Sequence, residues 1–455
     1  MARQSDIARN YSLNKFVITP SKGRNTPPVD LGADGTTITD FYYYESILND
    51  TLKATVTYSD IGQYPAKEGV TKTVISGMPI EGGETVNIFF KDMNHDTTLK
   101  IDLQVRSPNQ NSIDTKKSLT TLDLVSEESV INLKKIVTKS YSGPISESFK
   151  DILKNVINTT KDLKFERTNE LKFEGKSKHP FHLINSFSNK CVPDLDKAYG
   201  NTAGFFFYET SEGFNFRSID GLISGNDESG RKKNVKRYSY TGTVNTSTGY
   251  DDKILEINSI SPSGDILKKL EAGTYSTRTI IFDPFNCYYE VINPNAQGDS
   301  SAKGSEKNLT KAGKNLPKIN PKFNVEGNNQ DFSKTKYYLL DTGTMPTGPT
   351  QQQIQKSKTI NFDPKNIANQ ASMRYNQFFS SLTSIVIFGD LSLHAGDLIW
   401  IDPPELSNKQ TQEMDEQFGG YYVIVDLCHY YSLTDGCYTR LIATRDSVGK
   451  TGNPF

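Results

Sequence analysis

Apolar and polar residues alternate with a period of two through much of the first 115 positions. In Leu99-Lys100-Ile101-Asp102-Leu103-Gln104-Val105-Arg106 the apolar residues take every second place. That spacing turns one set toward a core and the other toward water, the pattern of a half-buried strand. Leu52, Ala54, Val56 and Tyr58 repeat it, as do Val86, Ile88 and Phe90 after the turn pair Gly82-Gly83. Strands this close together, with Gly and Pro between them, predict a small barrel or sandwich over residues 1–115.

Residues 116–240 change period. Ser146, a good N-cap type, precedes Phe149, Ile152, Leu153, Val156 and Ile157, which fall on one face of a helix. A second helix is expected after Pro180, with Leu183, Ile184, Phe187 and Cys191 inward. A hairpin pattern follows: Gly204-Phe205-Phe206-Phe207-Tyr208-Glu209, a turn around Ser211-Glu212-Gly213, then Phe214-Asn215-Phe216-Arg217. Helices covering one face of that hairpin make an α+β unit.

The β pattern returns over residues 241–455. Strand candidates are Thr279–Phe282, Cys287–Val291, Ser384–Phe388, Asp397–Ile401, Tyr421–Tyr431 and Cys437–Thr444. Between them lies a long polar insertion at about 292–362, interrupted by Tyr337-Tyr338-Leu339-Leu340. Loops of that length are functional or lack fixed structure. Asp363 as N-cap and Pro364 at the first helical position open a third helix, with Ile367, Ala371, Tyr375, Phe378 and Leu382 inward. The fold class expected is mainly β, with two β regions flanking an α+β domain.

One internal echo links the two β regions that flank the α+β segment. Gly83-Glu84-Thr85-Val86-Asn87-Ile88 matches Gly396-Asp397-Leu398-Ile399-Trp400-Ile401 in type at every second position. Each is a Gly and an acid leading into a strand.

Composition narrows the functional classes. Hydrophobic residues are only 35% of the chain, low for a globular protein, so part of it joins no core. The 52 basic and 53 acidic residues nearly cancel. Such a chain gains little counterion-release energy from nucleic acid and makes no polybasic membrane anchor. Its four cysteines, Cys191, Cys287, Cys428 and Cys437, form no C-x-x-C pair and are too few for a disulfide scaffold. The start, Met1-Ala2-Arg3-Gln4-Ser5-Asp6, leads into no apolar signal segment, and no run approaches a membrane span. Folding in a cytoplasm without membrane insertion is expected.

A succession of short motifs carries a resemblance. They are Ile38-Thr39-Asp40-Phe41-Tyr42-Tyr43-Tyr44-Glu45-Ser46-Ile47-Leu48 and Leu52-Lys53-Ala54-Thr55-Val56-Thr57-Tyr58-Ser59-Asp60, then Met78-Pro79-Ile80-Glu81-Gly82-Gly83-Glu84. Ser140-Tyr141-Ser142-Gly143-Pro144-Ile145-Ser146, Gly204–Thr210, Gly213–Asp220, Ala395–Leu398 and Gly420–Val425 follow in order. Together they resemble the baseplate central hub proteins of T-even-like contractile-tailed phages, especially the marine, cyanophage-like versions. The insertion at 292–362 has no match in that pattern.

The resemblance implies two related small β-barrels, over residues 1–115 and 241–455, the first docking the tail tube, flanking an α+β domain over 116–240. It implies a homotrimeric ring that adapts a sixfold tail tube protein to a threefold central spike protein, with DNA only as passing cargo. Neighbouring baseplate wedge proteins are further expected partners, the 292–362 insertion being a candidate contact. The place implied is the virion tail baseplate, assembled in the host cytoplasm. Type VI secretion spikes share the layout with a fused spike; here the spike is expected to be a separate protein. No catalytic residue, cofactor or metal ligand is assigned. The rival classes are a virion-borne enzyme degrading cell wall or polysaccharide, and a glycan-binding tail adhesin.

Other constellations have plainer readings. His179 and His182 are spaced for a metal on a helix face, but Pro180 marks an ordinary helix entry. Asp251-Asp252, and Asp426 with His429, suggest acid/base pairs, yet no geometry joins them, and turn chemistry accounts for the first pair. Arg231-Lys232-Lys233-Asn234-Val235-Lys236-Arg237 reads as a solvated connector before it reads as a contact to DNA or an acidic neighbour. Tyr42-Tyr43-Tyr44 and Tyr421-Tyr422 are either strand packing or subunit anchors.

Overall fold

The computed structural model describes residues 9–33, 37–67, 69–114, 116–194, 202–225, 235–240, 252–261, 267, 271–272, 277–284, 287–292, 334–340, 349–357, 361–362, 364–379, 381–403 and 419–445. Among them no helix is long and apolar enough to cross a membrane.

The first set of strands is β1 Tyr11–Thr19, β2 Val29–Asp30, β3 Ile38–Ser46, β4 Lys53–Asp60, β5 Tyr64–Lys67, β6 Val70–Lys72, β7 Thr85–Asp92, β8 Thr97–Ile113 and β9 Ser118–Val125. The alternation works as it reads. Val86, Ile88, Phe90, Leu99, Ile101, Leu103 and Val105 are all buried in one core, with Val56, Tyr58 and Phe41. β9 lies beyond residue 115, in the stretch read as the opening of the α+β unit. It pairs with both β4 and β8 and so completes the first sheet.

The middle of the chain carries β10 Ser140–Tyr141, β11 Leu163–Phe165, β12 Phe173–Glu174, β13 Phe205–Thr210 and β14 Gly213–Ser218. The helix expected at Ser146 spans Ile145–Ile152 with Pro144 at the cap, so Ser146 sits inside its first turn. It continues as a π-helical turn, Leu153–Ile157. The second helix spans Pro180–Phe187. Phe149, Phe165, Phe173, Phe181, Phe205 and Phe216 share a core rich in edge-to-face ring contacts. The third helix joins this unit. Asp363 lies outside the described residues, Pro364–Ala368 form a π-helical turn, and Asn369–Phe378 are α-helical. Phe362 and Ala368 pack into the same core.

The last set is β15 Lys236–Ser239, β16 Ile254–Ser261, β17 Thr277–Asp283, β18 Tyr288–Ile292, β19 Lys334–Leu339, β20 Ser381–Phe388, β21 Leu398–Asp402, β22 Gly420–Ser432 and β23 Gly436–Arg445. β17 pairs with β18 and, in parallel, with β19. Within that small sheet Ile281 is buried, while Phe282, Tyr289, Tyr337 and Leu339 are exposed on the other face.

Two features of the sheet topology go beyond the sequence reading. First, one pairing order is used twice. The first set runs β3-β4-β9-β8-β7-β1, and the second runs β16-β20-β23-β22-β21-β15, with matching strands in the same order along the chain. All these ladders are antiparallel except β15–β21, which is parallel where β1–β7 is antiparallel. In the second set a bridge from Ser239 to Lys253 carries the path from β15 back toward β16. Second, the two sets are not separate sheets. β22 pairs with β3 from Asp426↔Ser46 to Ser432↔Asp40, giving one 13-stranded sheet.

Candidate functional site

The repeated Gly-acid junction is built the same way in both sets. Gly83 N donates to Val105 O at 2.8 Å, and Val105 N donates to Glu84 O at 2.9 Å. Gly396 N donates to Ile424 O at 2.8 Å, and Ile424 N donates to Asp397 O at 2.9 Å. Both glycines sit at positive φ, +87° and +88°, a backbone conformation that strains any residue with a Cβ. Each acid also caps the turn before it. Glu84 accepts from Gly82 N at 2.9 Å, and Asp397 accepts from His394 N at 2.9 Å. Both receiving strands then shift register at the next step, between Val105 and Ser107 and between Ile424 and Asp426.

Where the sets meet, a buried carboxylate joins all three units. Glu45 on β3 is 2% exposed. It accepts from Tyr43 Oη at 2.7 Å, from Ser211 N in the β13–β14 turn at 2.8 Å, and from Ala395 N before β21 at 3.0 Å. His394 Nδ1 lies 3.3 Å from its Oε1. Burial alone would raise the Glu45 pKa, but His394 and the donors around it bring it down to about 2. Burial alone would lower His394; Glu45, with Asp397 and Glu212, lifts it to about 9. Beside this pair Ile47, Phe206, Tyr208, Ala395, Val423 and Val425 form a core to which all three units contribute. Glu209 adds a second bond across the junction, accepting from Leu52 N at 3.0 Å.

Glu45 was absent from the sequence candidates, although its signal is present there. In the inward phase Phe41, Tyr43, Glu45, an acid replaces an apolar residue. An acid in that phase needs buried donors.

The other candidates fall apart or change role. His179 Nδ1 lies 2.9 Å from Lys135 O at the helix entry, and His182 is exposed. Asp252 holds φ +62° in a turn before β16, and Asp251 lies outside the described residues. Asp426 and His429 are three apart on β22, hence on opposite faces. His429 is buried with its pKa pushed down to about 4 by desolvation, its Nδ1 2.9 Å from Thr439 Oγ1. Of the basic run, 231–234 lie outside the described residues. Its end is strand β15, not a solvated connector: Lys236 pairs with Asp390 and Arg237 with Asp402.

Tyr43 and Tyr422 are core residues. Tyr42 and Tyr44 point outward, and Tyr42 stacks on Tyr430 of β22 with centroids 4.6 Å apart. Tyr421 packs edge-on against Trp400. Asp92, His95 and Asp390 bring three possible metal-ligand atoms within 4.8 Å of one another. Their charges are already matched, His95 lying 2.8 Å from Asp92 and Lys236 pairing with Asp390. A cavity of about 450 Å³ opens beside His394 and is lined by Lys164, Tyr208, Glu212, Arg217 and Lys236. Its walls are ion-paired side chains such as Lys164–Glu212.

No protein-family model and no curated protein matches this sequence. Solved structures do. The chain is similar in fold to a tail protein from Neisseria meningitidis, with TM-score 0.50, 7% identity, and 95% of this chain and 98% of that one covered. It is also similar to the 43 kDa tail protein of prophage MuSo2 from Shewanella oneidensis, with TM-score 0.47, 7% identity, and 96% and 100% covered. A third is the E. coli c3393 protein, a type VI secretion component likened to the T4 tail proteins gp27 and gp5, with TM-score 0.43, 9% identity, and 97% and 79% covered. The first of these shares its overall fold with this chain.

Proposed function

We propose that this chain is the structural hub of a phage tail baseplate and carries no active site. Three copies form a ring. Each contributes two related β-barrels, so six similar units face a sixfold tail tube while the threefold ring receives a central spike. The ring leaves a passage for DNA. The barrels extend from the first β set through β9, and from β15 to β23, with the α+β unit between them.

The observation that carries this reading is the double use of one strand order, with the Gly83 and Gly396 junctions hydrogen-bonded alike. A duplicated module lets a threefold assembly present six equivalent surfaces. The likeness in fold to a tail protein supports the same reading. The exposed apolar face of β17–β19 supports contacts there with neighbouring baseplate proteins.

Light scattering of the purified full chain tests it. The expected mass is three times 50.8 kDa. A monomer at every concentration, or measurable peptidoglycan hydrolysis, overturns it.

A further inference from the structure

We infer that a second copy of this chain docks head to tail by pairing its β16 with the open flank of β8. This rests on the oligomeric reading above but concerns the contact itself. Within one chain β22 holds two partners on one flank: β21 over Gly420–Val423 and β3 over Asp426–Ser432. β8 is the counterpart of β22 in the first set. Its ladder with β7 covers Thr97–Gln104, while β9 pairs with the other flank as far as Ile113. Beyond Gln104, the flank that held β7 has no ladder among the described residues.

The complementary flank is also open. β16 is the counterpart of β3, and its ladder is with β20. On the other flank the described residues show only the bridge from Lys253 to Ser239 at its start. Each chain thus carries both halves of a junction that it already makes once internally. Strand flanks carry unpaired N–H and C=O groups that template another strand, Pro108 of β8 offering its C=O alone. The two halves differ, so the contact is heterologous and propagates head to tail, closing into a ring where the rotation allows.

The register carries over. Val105 matches Ile424 through the Gly83 and Gly396 bonds and the register shifts that follow. Through β9 and β23, Leu124 matches Ala443, so Ala54 on β4 matches Thr383 on β20. Through those, Tyr43 on β3 matches Ile260 on β16, and Tyr44 matches Ser261. One register shift is shared, Ile38/Asp40 on β3 with Ile254/Glu256 on β16, and β16 carries a second, Ile257/Ser259, that β3 lacks. As Cys428 faces Tyr44 inside the chain, Asn109 faces Ser261 of the next copy; as His429 faces Tyr43, Gln110 faces Ile260.

A cysteine pair tests this in the full chain with Cys287→Ser. Directly opposed strand positions lie within disulfide range. Asn109→Cys with Ser261→Cys is expected to give reducible covalent oligomers on mild oxidation, and neither single variant gives them. An oligomer by light scattering without that cross-link overturns the contact and leaves the ring; a monomer throughout overturns both. In the unmodified chain, hydrogen exchange over Ser107–Ile113 is expected to slow roughly tenfold or more as the oligomer forms. Unchanged exchange overturns the contact whatever the variant does.

Discussion

Glu45 Oε1 and His394 Nδ1 lie 3.3 Å apart, on strand β3 and on the loop before β21, 349 residues distant in sequence. This pair makes the stability of the junction depend on pH in both directions. His394 goes from its ordinary 6.5 to about 9 on folding, so its contribution is whole below pH 6.5 and fades as pH rises through about 9. Glu45 goes from 4.5 to about 2, so its contribution is whole above pH 4.5 and fades as pH falls through about 2. The urea midpoint of the wild type should exceed that of the Glu45→Gln, His394→Asn double variant by most between pH 4.5 and 6.5. The gap should shrink steadily toward pH 10. A gap independent of pH from 6 to 10 would remove the pair from any role in stability. Single His394→Ala should be worse than the double variant, costing about 3–5 kcal/mol, because it strands a buried carboxylate.

Gly83 and Gly396 hold nearly the same φ in the same hydrogen-bonded motif, yet their surroundings differ. A Cβ on Gly83 would meet nothing within 4 Å. One on Gly396 would stand 2.2 Å from Tyr208 Oη and 3.2 Å from Leu222 Cδ2. Gly83→Ala should therefore cost only the backbone strain, about 1–2 kcal/mol. Gly396→Ala should cost clearly more and loosen the packing of Tyr208 and Leu222 against the segment that leads into β21. Denaturant midpoints of the two variants decide it; equal losses would mean that the Tyr208 contact yields freely.

The strands, the hairpin and the Gly83–Gly396 echo are legible in the sequence because each follows from a local period or a local turn. The shared sheet is not. Alternation along Tyr421–Tyr431 specifies which side chains face the core but says nothing of which strand lies on either flank. β3 pairs with β22 across a separation that no local pattern encodes. The junction carboxylate was partly legible, since Glu45 breaks the apolar phase of β3, but its donors come from Ser211 and Ala395. The π-helical turns at Leu153–Ile157 and Pro364–Ala368 left no mark on the helical periodicity.

Thiol chemistry reads out burial across the fold. Cys287 is exposed, and Cys191 and Cys437 are buried, their thiols raised well above the ordinary range by desolvation. Burial pushes Cys428 up to about 11. Reactivity follows the exposed thiolate. At pH 8 an aromatic disulfide reagent should modify one thiol per native chain rapidly and all four only after denaturation. Replacing Cys287 by Ser should abolish the rapid phase; a rapid phase that survives would place another thiol in solvent.

Tyr375 tests whether the third helix is part of the middle unit or merely rests on it. Its hydroxyl accepts from Phe205 N at 2.9 Å and donates to Phe205 O, so one oxygen serves both backbone groups at the start of β13. The ring also packs edge-on against Phe206, with centroids 5.2 Å apart. Tyr375→Phe keeps the ring and removes the hydroxyl, leaving the N–H and C=O of Phe205 without that partner. The expected loss is about 1–3 kcal/mol, the cost of an unmade buried hydrogen bond. Tyr375→Leu should add loss of the ring contact to this. The locus is as informative as the size. If the helix is integral, both variants lower the single cooperative unfolding transition. If it only rests there, they leave the midpoint of the β core unchanged and expose the helix alone to protease.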